Sequence, residues 1–498
     1  MEFIINAFAA ALSLKGILAM VTGTVVGLVI GALPGLGPSI GVALMLPFTY
    51  TMDPLIALLL LTSLFQGAEY GGSVSAVLLN TPGTPGASAT VLDGYPMNRQ
   101  GFPGKALACS LVPSCLGGLT GVISLFALSS VVVKVAVTFG PAEFFSLGLF
   151  GLTAVVSLSN GNLVKGCIAA ILGLVISCVG LDVISGMPRF TLGVWSLYEG
   201  FPLVPVLIGM FAISEAFVLI SEELETKYSI NKENLRLSLT WREFKAMIPA
   251  IGIGSAIGVA MGIFPGVGTT TASWLSYIET KRFSKHPEKF GTGIPEGIAA
   301  PEAANNAVVA SSLLPMLTLG IPGSPTAAII MGALIIQGVQ PGPDIMAKHP
   351  EMLYGLYAGS AVSVVLMLGI GWFATGFLAK VVKVPNQYLA PLIIMLASVG
   401  TYVTTGNVFY VGVMFGFGAL GYLFKRLKFP IAPFILAFVL SDLLEANLRR
   451  ALLISGGSPS IFFTRPISCV LLLLCFGSLA FSIGNEIKGS RRRRAAQA

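Results

Sequence analysis

Apolar runs of membrane-spanning length recur along nearly the whole chain, separated by short polar or Gly-Pro-rich stretches. Runs of about 17–25 residues read as spanning helices. They fall near 17–33, 54–66, 107–132, 142–158, 164–180, 203–221, 246–263, 354–379, 387–404, 408–424, 430–444 and 467–484. The pattern predicts an all-α polytopic membrane protein with ten to twelve transmembrane helices. It is broken in an unusual way at "NTPGTPGASAT", Asn80 to Thr90, where prolines and glycines crowd an otherwise apolar region.

Composition supports this reading. Of 498 residues, 55% are hydrophobic and 10% charged, against roughly 25% charged in soluble domains. Glu2 stands where a signal peptide carries positive charge, and residues 1–16 are expected to be a retained membrane segment. The six cysteines lie in apolar stretches without metal-like spacing and read as packing residues. The two histidines, His286 and His349, fall in polar loops, so neither a His-based metal site nor a His-dependent triad is expected. The net charge of +7 gathers at Lys281, Arg282, Lys285 and Lys289, at Lys425, Arg426 and Lys428, and at Arg491 to Arg494. Basic loops tend to be cytoplasmic and to meet anionic headgroups. These charges need no nucleic acid, and they place the C-terminus inside.

Four sequence pairs recur in the same order. "GALPGLGPSIG" from Gly31 matches "GIFPGVGTTTA" from Gly262, and "NTPGTPGASAT" from Asn80 matches "GIPGSPTAAII" from Gly320. "SNGNLVKG" from Ser159 matches "TTGNVFYVG" from Thr404, and "FPLVPVLIGMFAISE" from Phe201 matches "FPIAPFILAFVLSD" from Phe429. Collinear pairs indicate an internal duplication. The expected organisation is a first repeat at 17–221, a charged linker at 222–245, a second repeat at 246–445, and a C-terminal helix with a basic tail at 446–498. Inverted repeats with broken or re-entrant helices are common in secondary transporters, and that arrangement is expected here.

Broken backbone survives in a membrane only where protein or water covers it. Thr84 and Ser324 stand at N-cap positions, with Pro85 and Pro325 at the first helical position. A helix N-terminus carries unpaired N–H groups and partial positive charge, and binds anions. Asn80, Thr81, Pro82, Gly83, Thr84 and Gly86, with Gly320, Pro322, Gly323, Ser324 and Thr326, are therefore candidate substrate-binding residues. The other break pair holds Gly35, Gly37 and Ser39, and Gly266, Gly268, Thr269 and Thr270. Free carbonyls and hydroxyls there suit a cation, so these are candidate ion-binding or gating residues. The plainer alternative is that the Gly-Pro elements only allow close helix crossing. Intramembrane polar side chains add Glu69 before the first TPG break and Glu302, Asn305 and Asn306 before the second. The last three share one helix face. They would bind substrate, cation or proton, or else form a buried hydrogen-bond network. Asp93 and Arg99 are minor gate candidates.

"GALPGLGP", "GAEYGGSVSAVLLNTPGTPGA", "FPGVGTTTASWLSYIETKR" and "GIPEGIAAPEAANNA…TLGIPGSPTAA" resemble the large membrane subunit of the tripartite tricarboxylate transporters, the TctA type. The resemblance runs from about residue 17 to 445. It implies a bacterial inner-membrane permease that works with a small four-helix membrane subunit and a periplasmic solute-binding protein. Such proteins import citrate or related carboxylates by symport with sodium or protons, without cofactor or ATP. The alternative is a stand-alone ion-coupled carboxylate transporter or antiporter. A channel or an intramembrane enzyme fits less well: the sequence has no H-E-x-x-H motif, no His cluster and no clear aspartate pair.

Overall fold

The computed structural model describes residues 2–157, 163–182, 184–221 and 235–497. Residues 159–162 of the repeat match at Ser159, and residues 222–234 of the charged linker, lie outside them. The helices, in order, are α1 (Glu2–Ala11), α2 (Leu14–Ala32), α3 (Pro38–Met45), α4 (Pro54–Leu79), α5 (Val91–Arg99), α6 (Pro103–Ala136), α7 (Pro141–Ser157) and α8 (Leu163–Ser177). After the two-residue strands β1 (Gly180–Leu181) and β2 (Pro188–Arg189) come α9 (Leu203–Ile208) and α10 (Ser214–Ser221), joined through a π turn at Gly209–Ile213. The second half holds α11 (Trp241–Ile263), α12 (Gly268–Phe283), α13 (Pro295–Ser311), α14 (Leu313–Leu319), α15 (Pro325–Ile336), α16 (Ile345–Lys348) and α17 (Pro350–Val381). It closes with α18 (Asn386–Thr405), α19 (Val408–Arg426), α20 (Ile431–Ile454), α21 (Ile461–Thr464) and α22 (Pro466–Gln497).

Among the described residues, ten helices are long and apolar enough to cross a membrane, α9 to α10 being one of them. The runs expected at 142–158 and 164–180 form the shorter α7 and α8. The run expected at 54–66 is longer than its apolar signal, for α4 continues through Gln66, Glu69 and Ser73 to Leu79. Nearly every residue of α4 is buried, as is α13 from Gly297 onward. These two helices face protein rather than lipid, so they carry polar groups that a lipid-facing helix would not. The apolar side chains exposed on other helices, such as Phe373, Val399 and Leu473, are what a bilayer-facing surface requires.

Glycine stripes set the packing of the two central helices. A Cβ on Gly23, Gly27 or Gly31 of α2 would strike the backbone of Leu60, Leu64 or Ala68 of α4. The numbers rise together, so α2 and α4 run parallel in close backbone contact, as small residues permit. The same holds in the second half: Gly254, Gly258 and Gly262 of α11 pack on Ala300, Ala304 and Ser311 of α13. A helix parallel to its predecessor needs a return, and α3 and α12 supply it. Gly41 of α3 comes back against Ile30 of α2. The central pair α4 and α13 is antiparallel, because Ser73 pairs with Glu302 while Gln66 Nε2 donates to Asn306 Oδ1 at 2.7 Å. The hairpin of α2 and α3 and the hairpin of α11 and α12 therefore enter from opposite ends.

The breaks are shaped by their residues. α2 ends at Ala32 and α3 begins at Pro38, with Gly35 at φ 86° between them. α11 ends at Ile263 and α12 begins at Gly268, with Gly266 at φ 75°. That left-handed backbone favours glycine. At the other break pair, Asn80 and Gly320 are left-handed caps on α4 and α14. Beyond them the chain folds back: Gly83 N–H donates to Gly72 O at 3.1 Å, and Gly323 N–H donates to Ser312 O at 3.2 Å.

Candidate functional site

The breaks meet around a cavity of about 550 Å³. Of the residues singled out from the sequence, it is lined by Gly35, Gly37, Ser39, Glu69, Pro82, Gly83, Thr84, Gly266, Gly268, Thr269, Thr270, Ser324 and Thr326. Both break pairs and both halves contribute. Ser39 Oγ and Thr326 Oγ1, from α3 and α15, share a hydrogen bond of 2.9 Å across the two halves. Gly266 N–H donates to Gly323 O at 3.0 Å, which ties the two breaks of the second half together.

Three helix N-termini open on this space. Gly37, Pro38 and Ser39 start α3; Gly268, Thr269 and Thr270 start α12; Ser324, Pro325 and Thr326 start α15. Ser324 is the N-cap expected from the sequence, its hydroxyl accepting from Ala327 N–H at 3.1 Å. The first copy differs. Pro85–Ala87 is only a three-residue 3-10 turn, and the Thr84 hydroxyl donates to Glu69 Oε2 at 3.3 Å instead of capping. Thr84 and Pro85 thus take the expected N-cap and first positions, but of a 3-10 turn rather than an α-helix, and the side chain that would cap it is engaged by a carboxylate. Thr269 lies at the same point, since a Cβ on Gly86 would meet both it and Glu69, so Glu69 sits between the TPG break and the start of α12.

Other candidates lie elsewhere. Asn80 is exposed and Thr81 half-buried at the end of α4, and neither lines the cavity. Gly86 packs on Glu69 and Thr269 just behind the wall. Gly320 is a helix cap, Pro322 borders a small neighbouring void, and Gly323 is a backbone crossing point. Asn305 and Asn306 form a buried relay: Gln66 donates to Asn306 Oδ1, Asn306 Nδ2 to Asn305 Oδ1 at 2.6 Å, and Asn305 Nδ2 to Gly86 O at 3.5 Å. Glu302 is fully buried and accepts hydroxyls from Ser73 and Thr90 at Oε1, and from Ser114 at Oε2 at 2.9 Å.

Asp93 is a tie between the halves. Its Oδ1 accepts from Gly291 N–H at 2.9 Å, Gly293 N–H at 2.8 Å and Ile294 N–H at 3.0 Å, and its Oδ2 from Tyr277 Oη–H at 2.9 Å. Bonds to a charged acceptor are stronger than neutral ones. Asp93→Asn is expected to destabilise the protein by on the order of 1–3 kcal/mol, read as a lower melting temperature of the detergent-solubilised chain. An unchanged melt would show that these bonds add nothing.

Sequence reasoning missed Lys425. In the sequence it reads as part of a basic run following an apolar span, yet it stands in the last turn of α19 and lines the cavity together with Phe211, Pro430 and Ile431. Its Nζ pairs with Glu215 of α10. The available signal was its place just before "FPIAP", one of the repeated segments. The cavity thus combines three dipole-positive helix ends, several hydroxyls, one ammonium and one carboxylate. That set is suited to an anion larger than a halide.

Residues 17–436 match the family described as the tripartite tricarboxylate transporter TctA family. The chain is 36% identical over 450 residues to an uncharacterised 52.8 kDa protein from the TAR-I ttuC' 3' region of Agrobacterium vitis, covering 90% of this chain and 89% of that one. It is 39% identical over 234 residues to an uncharacterised protein from the TAR-II ttuC' 3' region of the same organism, covering 47% of this chain and 97% of that one. No solved structure matches.

Proposed function

Because the chain belongs to the tripartite tricarboxylate transporter TctA family, we propose that it is the large permease subunit of a binding-protein-dependent importer of di- or tricarboxylates. The observation that carries the reading is the convergence of three helix N-termini and Lys425 on one cavity built from both breaks. Two or three carboxylates on one small molecule can each meet a separate positive end. Uptake is by symport of sodium or protons across the bacterial inner membrane. A small four-helix membrane subunit and a periplasmic solute-binding protein complete the system.

The opposed entry of the two hairpins supports an inverted repeat, with residues 17–221 and 246–445 as its halves. In such transporters alternating access comes from movement of one part against another around a central site. Glu69, which accepts from the Thr84 hydroxyl and lies beside Thr269 at the cavity wall, is the proposed group through which an ion and the anion sense one another.

The test is uptake of labelled citrate, tartrate and succinate into proteoliposomes. These hold the chain with its small membrane partner, a binding protein outside, and an imposed sodium or proton gradient. Accumulation of at least one carboxylate is expected, and it should collapse when either the gradient or the binding protein is withheld. Accumulation without the binding protein would replace the tripartite reading with a stand-alone transporter. Absence of accumulation for every carboxylate, with folded protein, would overturn the substrate class.

A further inference from the structure

We propose that Lys425 is a substrate contact at the mouth of the cavity, and that Glu215 is its resting counter-ion, displaced when the substrate carboxylate arrives. The inference rests on the reading of the cavity as a carboxylate site, and adds to it a named contact and a built-in competitor.

Lys425 is the one basic residue lining the cavity among the described residues. It is only partly open to solvent, with 28% of its side chain exposed against 13% for Glu215. A half-desolvated ammonium requires an anionic partner. Glu215 supplies one from α10, and it lies beside the first break: a Cβ on Gly35 would come within 3.1 Å of Glu215 Oε1. The pair therefore sits where the broken backbone and the cavity meet.

Helix packing does not need the pair. α10 and the π turn before it already lie against α19 in direct contact: a Cβ on Gly418 would strike Ile213, and one on Gly421 would meet Met210 O at 2.8 Å. Phe217 and Tyr422 add an edge-to-face ring contact with centroids 6.2 Å apart.

The corner after Lys425 is instead held by its own bonds. Lys165 Nζ donates to Leu427 O at 2.7 Å and lies over the Phe429 ring, while Phe429 N–H donates to Phe424 O at 2.7 Å. These bonds fix the base of the Lys425 side chain and leave its flexible stem to reorient. A lysine ammonium has three rotatable donors and exchanges one carboxylate for another without new geometry. Glu215 stays on α10 when the substrate takes the lysine, so it is left as an uncompensated carboxylate beside the bound anion, and its re-forming of the pair drives the substrate off.

The basic residues Lys165, Lys425, Arg426 and Lys428 cluster at this end of the molecule. By the tendency of basic segments to face the cytoplasm, the mouth is on the inner side, where a competitor for the lysine speeds release.

A merely structural salt bridge and a competing counter-ion predict opposite things for Glu215→Gln. The purified chain would be tested for binding of labelled citrate, and the reconstituted system for maximal uptake rate. If Glu215 competes, Glu215→Gln binds citrate roughly two- to fivefold more tightly, the range of a partly exposed ion pair, while its maximal uptake rate falls because release slows. Lys425→Gln weakens citrate binding by about tenfold or more, and Lys425→Arg restores part of it. If the pair is only structural, Glu215→Gln and Lys425→Gln lower the melting temperature and weaken binding together, and the proposal is overturned. A wild-type chain that neither binds nor accumulates any carboxylate would overturn the site reading itself, and this proposal with it.

Discussion

Adding one methyl group at Gly83 or at Gly323 is expected to abolish carboxylate uptake while the protein still inserts and folds. Both glycines are points where the returning chain crosses a glycine stripe. A Cβ on Gly83 would collide with the carbonyl oxygen of Gly31, and would lie 2.6 Å from Ser75 Oγ and 2.9 Å from Gly72 Cα. A Cβ on Gly323 would collide with the carbonyl oxygen of Gly262, and would lie 2.8 Å from Ser312 Cα. Backbone cannot swing aside as a side-chain tip can, so the break must shift as a unit. Overpacking of this kind costs about 1–3 kcal/mol. Spread over the many helices long and apolar enough to cross a membrane, that strain leaves insertion intact. Concentrated at the wall of the cavity, it displaces Thr84 or Ser324 from position. A bias of this size changes the population of one conformation by roughly ten- to a hundredfold, and uptake should fall accordingly in Gly83→Ala and Gly323→Ala. Gly369→Ala on α17, where a Cβ meets nothing within 4 Å, is the control and should transport as wild type. Uptake by proteoliposomes, with monodispersity of the purified protein as the folding check, decides the matter. Normal uptake in both variants would remove the TPG breaks from the site.

The breaks were legible because proline and glycine announce themselves in any apolar run. Pro34, Gly35 and Gly37, and Pro265, Gly266 and Gly268, mark where helices stop, whatever surrounds them. The full length of α4 was not legible. Gln66, Glu69, Ser73 and Ser75 lower the hydropathy of its second half, and only its burial among other helices explains how it stays regular. Hydropathy registers contact with lipid, and α4 has almost none. The same holds for α13, whose Glu302, Asn305 and Asn306 were read as polar positions on one face without a spanning run around them. Lys425 was hidden for the converse reason. A charge beside two others reads as solvated, and sequence cannot reveal that the last turn of α19 and the start of α20 both border the cavity. Thr84 takes the N-cap position without its side-chain bond, because a hydroxyl has more than one possible partner, and Glu69, fifteen residues earlier, had claimed it. Among the described residues Ser324 hydrogen-bonds to no carboxylate, bonding instead to Ser312 Oγ and Ala327 N–H, and its cap formed as expected.

The second large effect is expected at Glu302. Its carboxylate is fully buried at the crossing of α4, α6 and α13, and takes hydroxyl hydrogens from Ser73, Thr90 and Ser114. Among the described residues, no basic side chain forms an ion pair with it. Hydroxyls stabilise a buried negative charge without cancelling it, and a charge left uncompensated in a membrane interior is costly. A proton or a bound cation must therefore accompany the group, which makes Glu302 the proposed seat of the coupling ion. Thr90 follows the TPG break directly, so a change in what Glu302 holds reaches the cavity wall through a single segment. Glu302→Gln keeps the shape and removes the charge. It is expected to fold, to bind citrate, and to exchange internal for external citrate, while its accumulation under an imposed sodium or proton gradient drops to equilibration. Glu302→Ala also strands the hydroxyls of Ser73, Thr90 and Ser114, and should lose stability, at about 1–3 kcal/mol for each buried group left without a partner. The decisive measurement is the ratio of internal to external citrate in Glu302→Gln at steady state. A ratio near one with exchange retained separates coupling from binding. Wild-type accumulation would place the coupling ion elsewhere and leave Glu302 as a structural hub.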